Sequence, residues 1–454
     1  MRHALYAASL AVLASACATP VGPSTSTAAG AGEADFRALY KELVETNTTF
    51  SAGSCTMAAE RMKARLLAAG YPESDLKILV NPAPNRPQDG NLFAILPGAN
   101  PAKKAILLMA HIDVVEARRE DWERDPFVLT EEDGFFYARG SSDDKSMAAI
   151  FTDSMIRYKR EGYKPERTIK MMLNCGEESP NEFVGAKYMV ENHRDLIDAE
   201  FALNEGAGGR LDPATGKYVY NGVQAGEKLY QDYTVEVTNP GGHSSRPVPD
   251  NAIYQLGQAL MKVQAIEFPI EFNDATRTFF RRMGEITGGP EGQDMRDAAD
   301  GENAAAIRRL LENPSYNATL RTTCVATQLS GGHAPNALPQ RATANVNCRI
   351  FPGHTQEEIR QNLESAIGDA KVKVTLRSEP ETPMKAPPLP PDILGPIEKL
   401  TEQMWPGVPV IPAMATGATD GRFTTPAGIA TYGVSGIFAD PNTTNAHGLN
   451  ERVG

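Results

Sequence analysis

Spare positive charge is what this chain most lacks. Across 454 residues, 45 Lys and Arg stand against 57 Asp and Glu, a net charge of -12 at pH 7. With a pI of about 5.2, no basic stripe is left to neutralise phosphates, which excludes a nucleic-acid partner. The apolar run from Ala4 to Leu13 is too short to cross a bilayer. No internal repeat is apparent. Cysteines are few, five in all. Apart from Cys17, the others (Cys55, Cys175, Cys324, Cys348) have a spacing that fits no zinc ribbon. What remains is ordinary for a soluble globular protein, 41% hydrophobic and 22% charged. The length exceeds what one core serves, so two domains are expected.

Arg2 and His3, the apolar run and the small residues Ala14-Ser15-Ala16-Cys17-Ala18 read as an export signal over 1–18. Two processing outcomes fit: cleavage after Ala16 or Ala18, or lipid attachment at Cys17, although Ala14 stands where a lipobox prefers Leu. The protein is thus expected to be exported, either periplasmic or tethered to a membrane by lipid on Cys17. Residues 19–32, rich in Thr, Ser, Ala and Gly, read as a flexible tether. An oxidising compartment would permit disulfides. Cys324 and Cys348 lie equidistant from Asn336 in an expected hairpin, and a bonded pair and a free buried pair both fit.

Helical periodicity marks Asp35–Asn47 and Cys55–Tyr71. Apolar runs then alternate with helices, the pattern of a sheet with crossovers: strands at Ala105–Ala110, Thr168–Leu173 and Phe201–Asn204, helices at Lys145–Tyr163 and Gly185–Ile197. From about Lys228 the order becomes β-α-β-β-α-β: Leu229–Thr238, Asn251–Ile266, Leu320–Leu329, Ala342–Phe351, Gln356–Ile367 and Val372–Arg377, as in a ferredoxin-like domain. A polar, partly helical stretch, Phe268 to Asn317, interrupts it without a legible role. After a Pro- and Glu-rich linker, Glu379–Pro391, the helix Ile393–Met404 and the strand Ile429–Val434 resume the first pattern. The expected division is 33–226 and 381–454 for a larger α/β domain, with 227–380 inserted into it.

Polar clusters follow the expected strands: His111-Ile112-Asp113, Gly176-Glu177-Glu178 and Asn204-Glu205-Gly206. Open α/β sheets bind ligands at that edge. Arg139 to Lys145 opens a helix and Ala446 to Glu451 closes the chain. Singly, each has a bland reading: a structural His, solvated glutamates, a helix cap. Together they gather like charges at one edge, where carboxylates repel unless cations balance them.

These clusters resemble the M20 metallopeptidases, which include aminoacylases, carboxypeptidases, dipeptidases and succinyl-diaminopimelate desuccinylases. The resemblance rests on HIDVV, the stretch from Trp122 to Phe127, YARG with DDK, GEES, NEG, GGHSSRP, GATDGR and AHGLNE, and it spans nearly the whole folded chain. It implies a zinc-exopeptidase catalytic domain carrying an inserted ferredoxin-like lid or dimerisation domain. It also implies two Zn²⁺, for which Co²⁺ may substitute: His111 and Glu205 on one, Glu178 and His447 on the other, Asp143 bridging. Two imidazoles and three carboxylates suit zinc better than calcium. Asp113 would fix the ring of His111 through its other nitrogen. Glu177 would take a proton from the bridging water and hand it to the leaving amine. His243 would stabilise the developing oxyanion, in the family often across a homodimer, while Asn336 and Arg349 would grip the substrate carboxylate or carbonyl. Thr419, Asp420 and Arg422 match the loop beside the substrate. The chain departs from the family at Glu116, where Pro is usual, and at Gly176, where Asp is frequent. Members usually continue into a further helix after the last motif, so His447 is expected to be weakly anchored. The activity implied is hydrolysis of an amide bond in a dipeptide or N-acyl amino acid with a free carboxylate. The competing classes are an esterase using the same site and a non-catalytic metal- or peptide-binding relative.

Overall fold

The computed structural model describes residues 26–178, 183–301, 303–440 and 443–454. The signal read at 1–18 lies outside them. The first helix, Ser26–Val44, begins inside the stretch expected to be a tether, so residues 26–32 are helix. Its alanines are strong helix formers.

The larger sheet has ten strands. At its centre Ile169–Asn174, Ile106–His111, Phe201–Asn204 and Ala430–Gly433 lie side by side and parallel. Helices cover both faces, which is why the central strands are near-continuous apolar runs. Successive residues point to opposite faces. Leu108 and Ala110 pack with Ala58, Met62 and Leu66 of the helix Cys55–Ala68 and with Met147, Ala148 and Phe151 of Lys145–Arg160. Leu107 and Met109 pack with Ala186, Met189 and Ile197 on the other side. Because the four strands run the same way, their carboxyl ends all open on one edge. Gly90–Leu96 and Leu76–Val80 extend the sheet antiparallel. Tyr218–Glu227, Val410–Ala415, Gly209–Leu211 and Phe438–Ala439 complete the opposite side.

The smaller sheet is antiparallel, in the order Thr323–Gly331, Arg341–Ile350, Leu229–Thr238, Val372–Leu376. The helices Ala252–Gln264 and Gln356–Ile367 pack Leu256, Ala259, Ile359 and Leu363 on one face, over Val235, Val346 and Val374. This is the β-α-β-β-α-β arrangement of a ferredoxin-like domain. The unread stretch supplies the helices Asp274–Thr287, Gly289–Ala299, Ala304–Leu310 and Pro314–Leu320, with a core of their own around Phe280 and Met295. They brace the larger sheet: Arg282 donates to the Val410 carbonyl at 2.6 Å and pairs with Glu398 at 2.8 Å, and Ala275 packs with Ala225 and Tyr432.

Cys324 and Cys348 form a disulfide across neighbouring strands of the smaller sheet, at the paired register position. A second disulfide, Cys55–Cys175, joins the start of a helix to the residue before the Gly176-Glu177-Glu178 loop. It spans 120 residues of sequence, and no local pattern announced it.

One residue, Lys228, separates the long strand of the larger sheet from the first strand of the smaller one. It is fully buried, and its Nζ donates to the Arg321 carbonyl. Burial, with Arg349 adding, pushes its pKa down from 10.5 to about 7. Between those values the unfolded chain holds the proton that the folded chain has lost, so stability rises with pH from about 7 to 10.5. Lys228→Met should flatten that rise relative to wild type in urea unfolding followed across the window. An identical slope in both proteins would contradict it.

Candidate metal centre

The parallel strands deliver His111, the Glu177-Glu178 loop and Glu205 to one edge, and two loops bring Asp143 and His447 over it. His111 Nδ1 lies 3.0 Å from the carbonyl of Asp113. A carbonyl only accepts, so Nδ1 carries the hydrogen and the Nε2 lone pair faces outward. That Nε2 is 3.0 Å from Asp143 Oδ1 and 3.7 Å from Glu205 Oε2. His447 Nε2 is 2.8 Å from Glu178 Oε1 and 3.2 Å from Asp143 Oδ2. The two oxygens of Asp143 thus face two different imidazoles.

The Asp113 carboxylate does not hold the His111 ring as expected. Its Oδ1 is 3.7 Å from Nδ1, while the backbone carbonyl takes that role. Instead Oδ1 and Oδ2 accept from the amides of Glu177 (3.2 Å) and Glu178 (3.0 Å), so Asp113 shapes the loop that presents the glutamates. Gly176 precedes them at φ 90°. A Cβ there would stand 1.7 Å from the Phe183 carbonyl oxygen, so this departure from the family pattern is a requirement of the turn. Gly433 is needed similarly, since a Cβ would meet the Glu205 and Gly206 carbonyl oxygens at 2.5 Å. Glu116, the other departure, accepts from the amide and hydroxyl of Ser51 at 2.9 and 2.8 Å.

His447 is half exposed, at φ 61°, yet it is firmly anchored. Arg139 Nη2 donates to the carbonyls of His447 and Gly448 at 3.3 and 3.0 Å. Arg139 Nη1 pairs with the buried Glu451 at 2.6 Å. Glu451 also accepts from the amides of Gly140 (3.1 Å), Ser142 (2.9 Å) and Asp143 (3.0 Å). One carboxylate therefore clamps the His447 loop to the Asp143 loop. Both residues stood in quoted motifs, but a buried pair 312 positions apart leaves no local signal.

Asp144, given no role by the sequence, also belongs here. Among the described residues, ligand atoms converge in three groups: His111 with Asp144 and Glu205, His111 with Glu177 and Glu178, and Asp143 with Glu178 and His447. Asp144 Oδ2 is buried without a hydrogen-bond partner. Burial pushes the carboxyls of Asp113, Asp144 and Glu205 up, and that of Glu177 to about 9. Burial opposes ionisation of Asp143 too, but hydrogen bonds to His111 and His447 hold it below its ordinary value. Hydrogen bonds to Asp143 and Glu178 raise His447 to about 10. A buried set this rich in carboxylates, with imidazole lone pairs aimed into it and an orphaned oxygen beside it, fits divalent cations taking mixed nitrogen and oxygen donors.

The remaining expected residues divide between the smaller domain and the loop from Thr419 to Arg422. His243 and Asn336 come together on a two-stranded ladder at the exposed tip of the smaller domain: His243 pairs with Ala337, and the Ser244 amide donates to the Asn336 carbonyl at 3.1 Å. His243 Nδ1 accepts from the amide and hydroxyl of Ser245. Arg349 lies over the Tyr230 ring at 4.6 Å. Burial pushes its pKa down and Arg422 adds to that. Among the described residues no hydrogen bond or ion pair joins His243, Asn336 or Arg349 to the cluster. Thr419 is engaged within the fold: its amide donates to Glu227 at 2.8 Å and its hydroxyl accepts from Asn204 at 3.2 Å. Asp420 accepts from Asn174, and burial raises it to about 7. Arg422 lies 3.8 Å from Glu381 and over Phe423.

A model of the family described as Peptidase family M20/M25/M40 matches residues 107–454. N-fatty-acyl-amino acid synthase/hydrolase PM20D1 of Homo sapiens is 29% identical over 372 residues, 80% of this chain and 73% of that protein. Aminoacylase-1 of Mus musculus is 27% identical over 282 residues, 62% of this chain and 58% of that protein. The M20 family metallo-carboxypeptidase Sso-CP2 from Sulfolobus solfataricus shares the fold, with a TM-score of 0.68 at 18% identity over 92% of this chain and 94% of that one.

Replacing Glu451 by Gln should strand a buried Arg139, at a cost of about 3–5 kcal/mol. It should also lower divalent-metal affinity about 10- to 100-fold, as loss of an outer support does. Competition with a chelating dye measures the affinity; undiminished binding would contradict the clamp.

Proposed function

The chain belongs to peptidase family M20/M25/M40, and from that membership we propose that it hydrolyses the amide bond of a dipeptide or N-acyl amino acid with a free carboxylate, using two zinc ions. As a member it is a hydrolase of the peptidase and aminoacylase type, and the family is metal-dependent. The observation that carries the reading is the Asp143 carboxylate, one oxygen toward His111 and the other toward His447. His111 and Glu205 would hold one ion, Glu178 and His447 the other, with Asp143 shared and Asp144 adjoining the first.

Two such ions supply Lewis acidity, which polarises the scissile carbonyl and acidifies a water. The rest is work for the chain's own groups. Glu177 is placed by the Asp113 carboxylate, and its carboxylate has no hydrogen-bond partner among the described residues. With protein charges alone, burial holds it protonated, up to a pKa of about 9. Divalent charge beside it favours the ionised form, so it can take a proton from the attacking water at its carboxylate oxygen and give it to the leaving nitrogen. Arg349 and Asn336 on the smaller domain would hold the substrate carboxylate and carbonyl, and His243 the developing oxyanion, once that domain closes. The activity named for the human relative supports an N-acyl amino acid as substrate.

A homodimer through the smaller domain suits the exposed edge strand Thr323–Gly331, which carries Val325 and Leu329, and the neighbouring exposed Ile253, Tyr254 and Met261. A single-chain mass in sedimentation would remove it. Export, by signal cleavage or lipid on Cys17, is supported by the two disulfides. A native N-terminus upstream of residue 17 would remove it.

Chelation should abolish hydrolysis of N-acyl amino acids or dipeptides, and Zn²⁺ or Co²⁺ should restore it. Glu177→Gln should lose nearly all kcat while binding metal as wild type does. Wild-type kcat in that variant would refute the role given to Glu177.

A further inference from the structure

Two helices cover one face of the smaller sheet, over Val235, Val346 and Val374. Alternation along the strands puts Tyr230, Asp232, Asn345, Asn347 and Arg349 on the other face. Tyr230 and Arg349 are direct partners in the register, and so are Asp232 and Asn347.

A line of contacts runs along this polar face. The Arg349 Cζ lies over the Tyr230 ring, 4.6 Å from its centroid. The Tyr230 hydroxyl donates to Asp232 Oδ2 at 2.7 Å. Asp232 Oδ1 accepts from the side-chain amides of Asn345 and Asn347 at 2.8 and 2.9 Å. Arg377 closes the far end, donating to Asn345 Oδ1 at 3.0 Å. Burial opposes ionisation of Asp232, but hydrogen bonds from Tyr230, Asn345 and Asn347 hold its carboxyl below the ordinary value. Burial, with the bond to Asp232 adding, pushes the Tyr230 phenol up, so it keeps the proton it donates.

The Arg349 guanidinium makes no hydrogen bond or ion pair with any described residue. An ionised carboxylate stands only one tyrosine away and does not pair with it. A direct pair would use the arginine's donors on Asp232. The ring instead attracts the cation through its face and leaves those donors free for a planar anion. A phenol that donates to a carboxylate is polarised by it, which makes the ring more attractive to a cation. Asp232 thus acts on Arg349 without touching it.

We infer that Tyr230 and Asp232 are positioning residues for Arg349: the ring seats the guanidinium, and the carboxylate behind the ring strengthens that seat, so the fork meets the substrate carboxylate already oriented. The inference rests on the reading of Arg349 as the grip on that carboxylate and deepens it. Orienting the side chain beforehand lowers the ordering cost of binding.

Zinc-loaded Glu177→Gln protein, titrated calorimetrically with N-acetyl-leucine and with N-acetyl-leucinamide, tests this without turnover, because the two differ only in the carboxylate. The acid should bind more tightly than the amide. Tyr230→Leu should weaken the acid about fivefold or more, the scale of a partly desolvated cation–π contact, and leave the amide unchanged. Tyr230→Phe, which keeps the ring, should restore most of the affinity, and Asp232→Asn should fall between. In an Arg349→Met background, Tyr230→Leu should have no further effect, because the two act as one unit. Acid bound no more tightly than amide, equal weakening of both, or a further loss in the Arg349→Met background overturns the inference. In the chain with Glu177 intact, Tyr230→Leu should raise KM for the acid and spare kcat. If that chain hydrolyses neither compound while the titrations behave as described, the hydrolase reading fails and the positioning role stands.

Discussion

Carboxylates buried side by side repel, and each resists ionisation out of water. Asp113, Asp143, Asp144, Glu177, Glu178 and Glu205 nevertheless crowd one edge of the larger sheet, around two imidazoles. Protein contacts alone leave this crowd poorly balanced. Burial pushes most of these carboxyls up, and Asp143 escapes only through His111 and His447. Divalent cations would resolve the conflict, and the Asp143 carboxylate between the two rings is where two of them would share a ligand.

The fold can be understood as the apparatus for holding that arrangement. Parallel strands bring three motif segments to a common edge, and the Cys55–Cys175 bond pins the residue just before the glutamate loop. Asp113 sets that loop through its amides, and Glu451 with Arg139 ties the last motif to the Asp143 loop. The smaller domain departs through Lys228, buried at the crossing, and carries His243, Asn336 and Arg349 on its own sheet and tip. That division separates the ligand cluster from the residues proposed to hold the substrate.

Much of this was legible in the sequence. Phe201–Asn204, Leu229–Thr238 and Gln356–Ile367 fall where periodicity placed them, because each buries one face or both against a core. The expected ligands His111, Glu178 and Glu205 each end or follow a strand and Asp143 precedes a helix, whereas His447 stands in a loop that only its motif marked. Tyr218–Glu227 was not found: it buries Asn221 and Gln224 among its apolar residues, so it shows neither alternation nor an apolar run. The stretch holding the helices from Asp274 to Leu320 read as polar and partly helical but without a role, because what these helices pack against is set by tertiary structure. The Cys55–Cys175 bond and the Glu451 clamp join residues whose partnership exists only after folding, while Asp113 was paired with His111 in the sequence but holds it through its carbonyl and not its carboxylate.

The central claim is that one carboxylate is shared by two cations, and metal counting on purified, zinc-dialysed protein tests it most directly. Elemental analysis should give two transition-metal ions per chain for wild type and a clear loss in Asp143→Asn, whose amide cannot serve both sides as a charged bridge. Wild-type protein with no stoichiometric metal, or a variant that keeps both ions, would contradict the account.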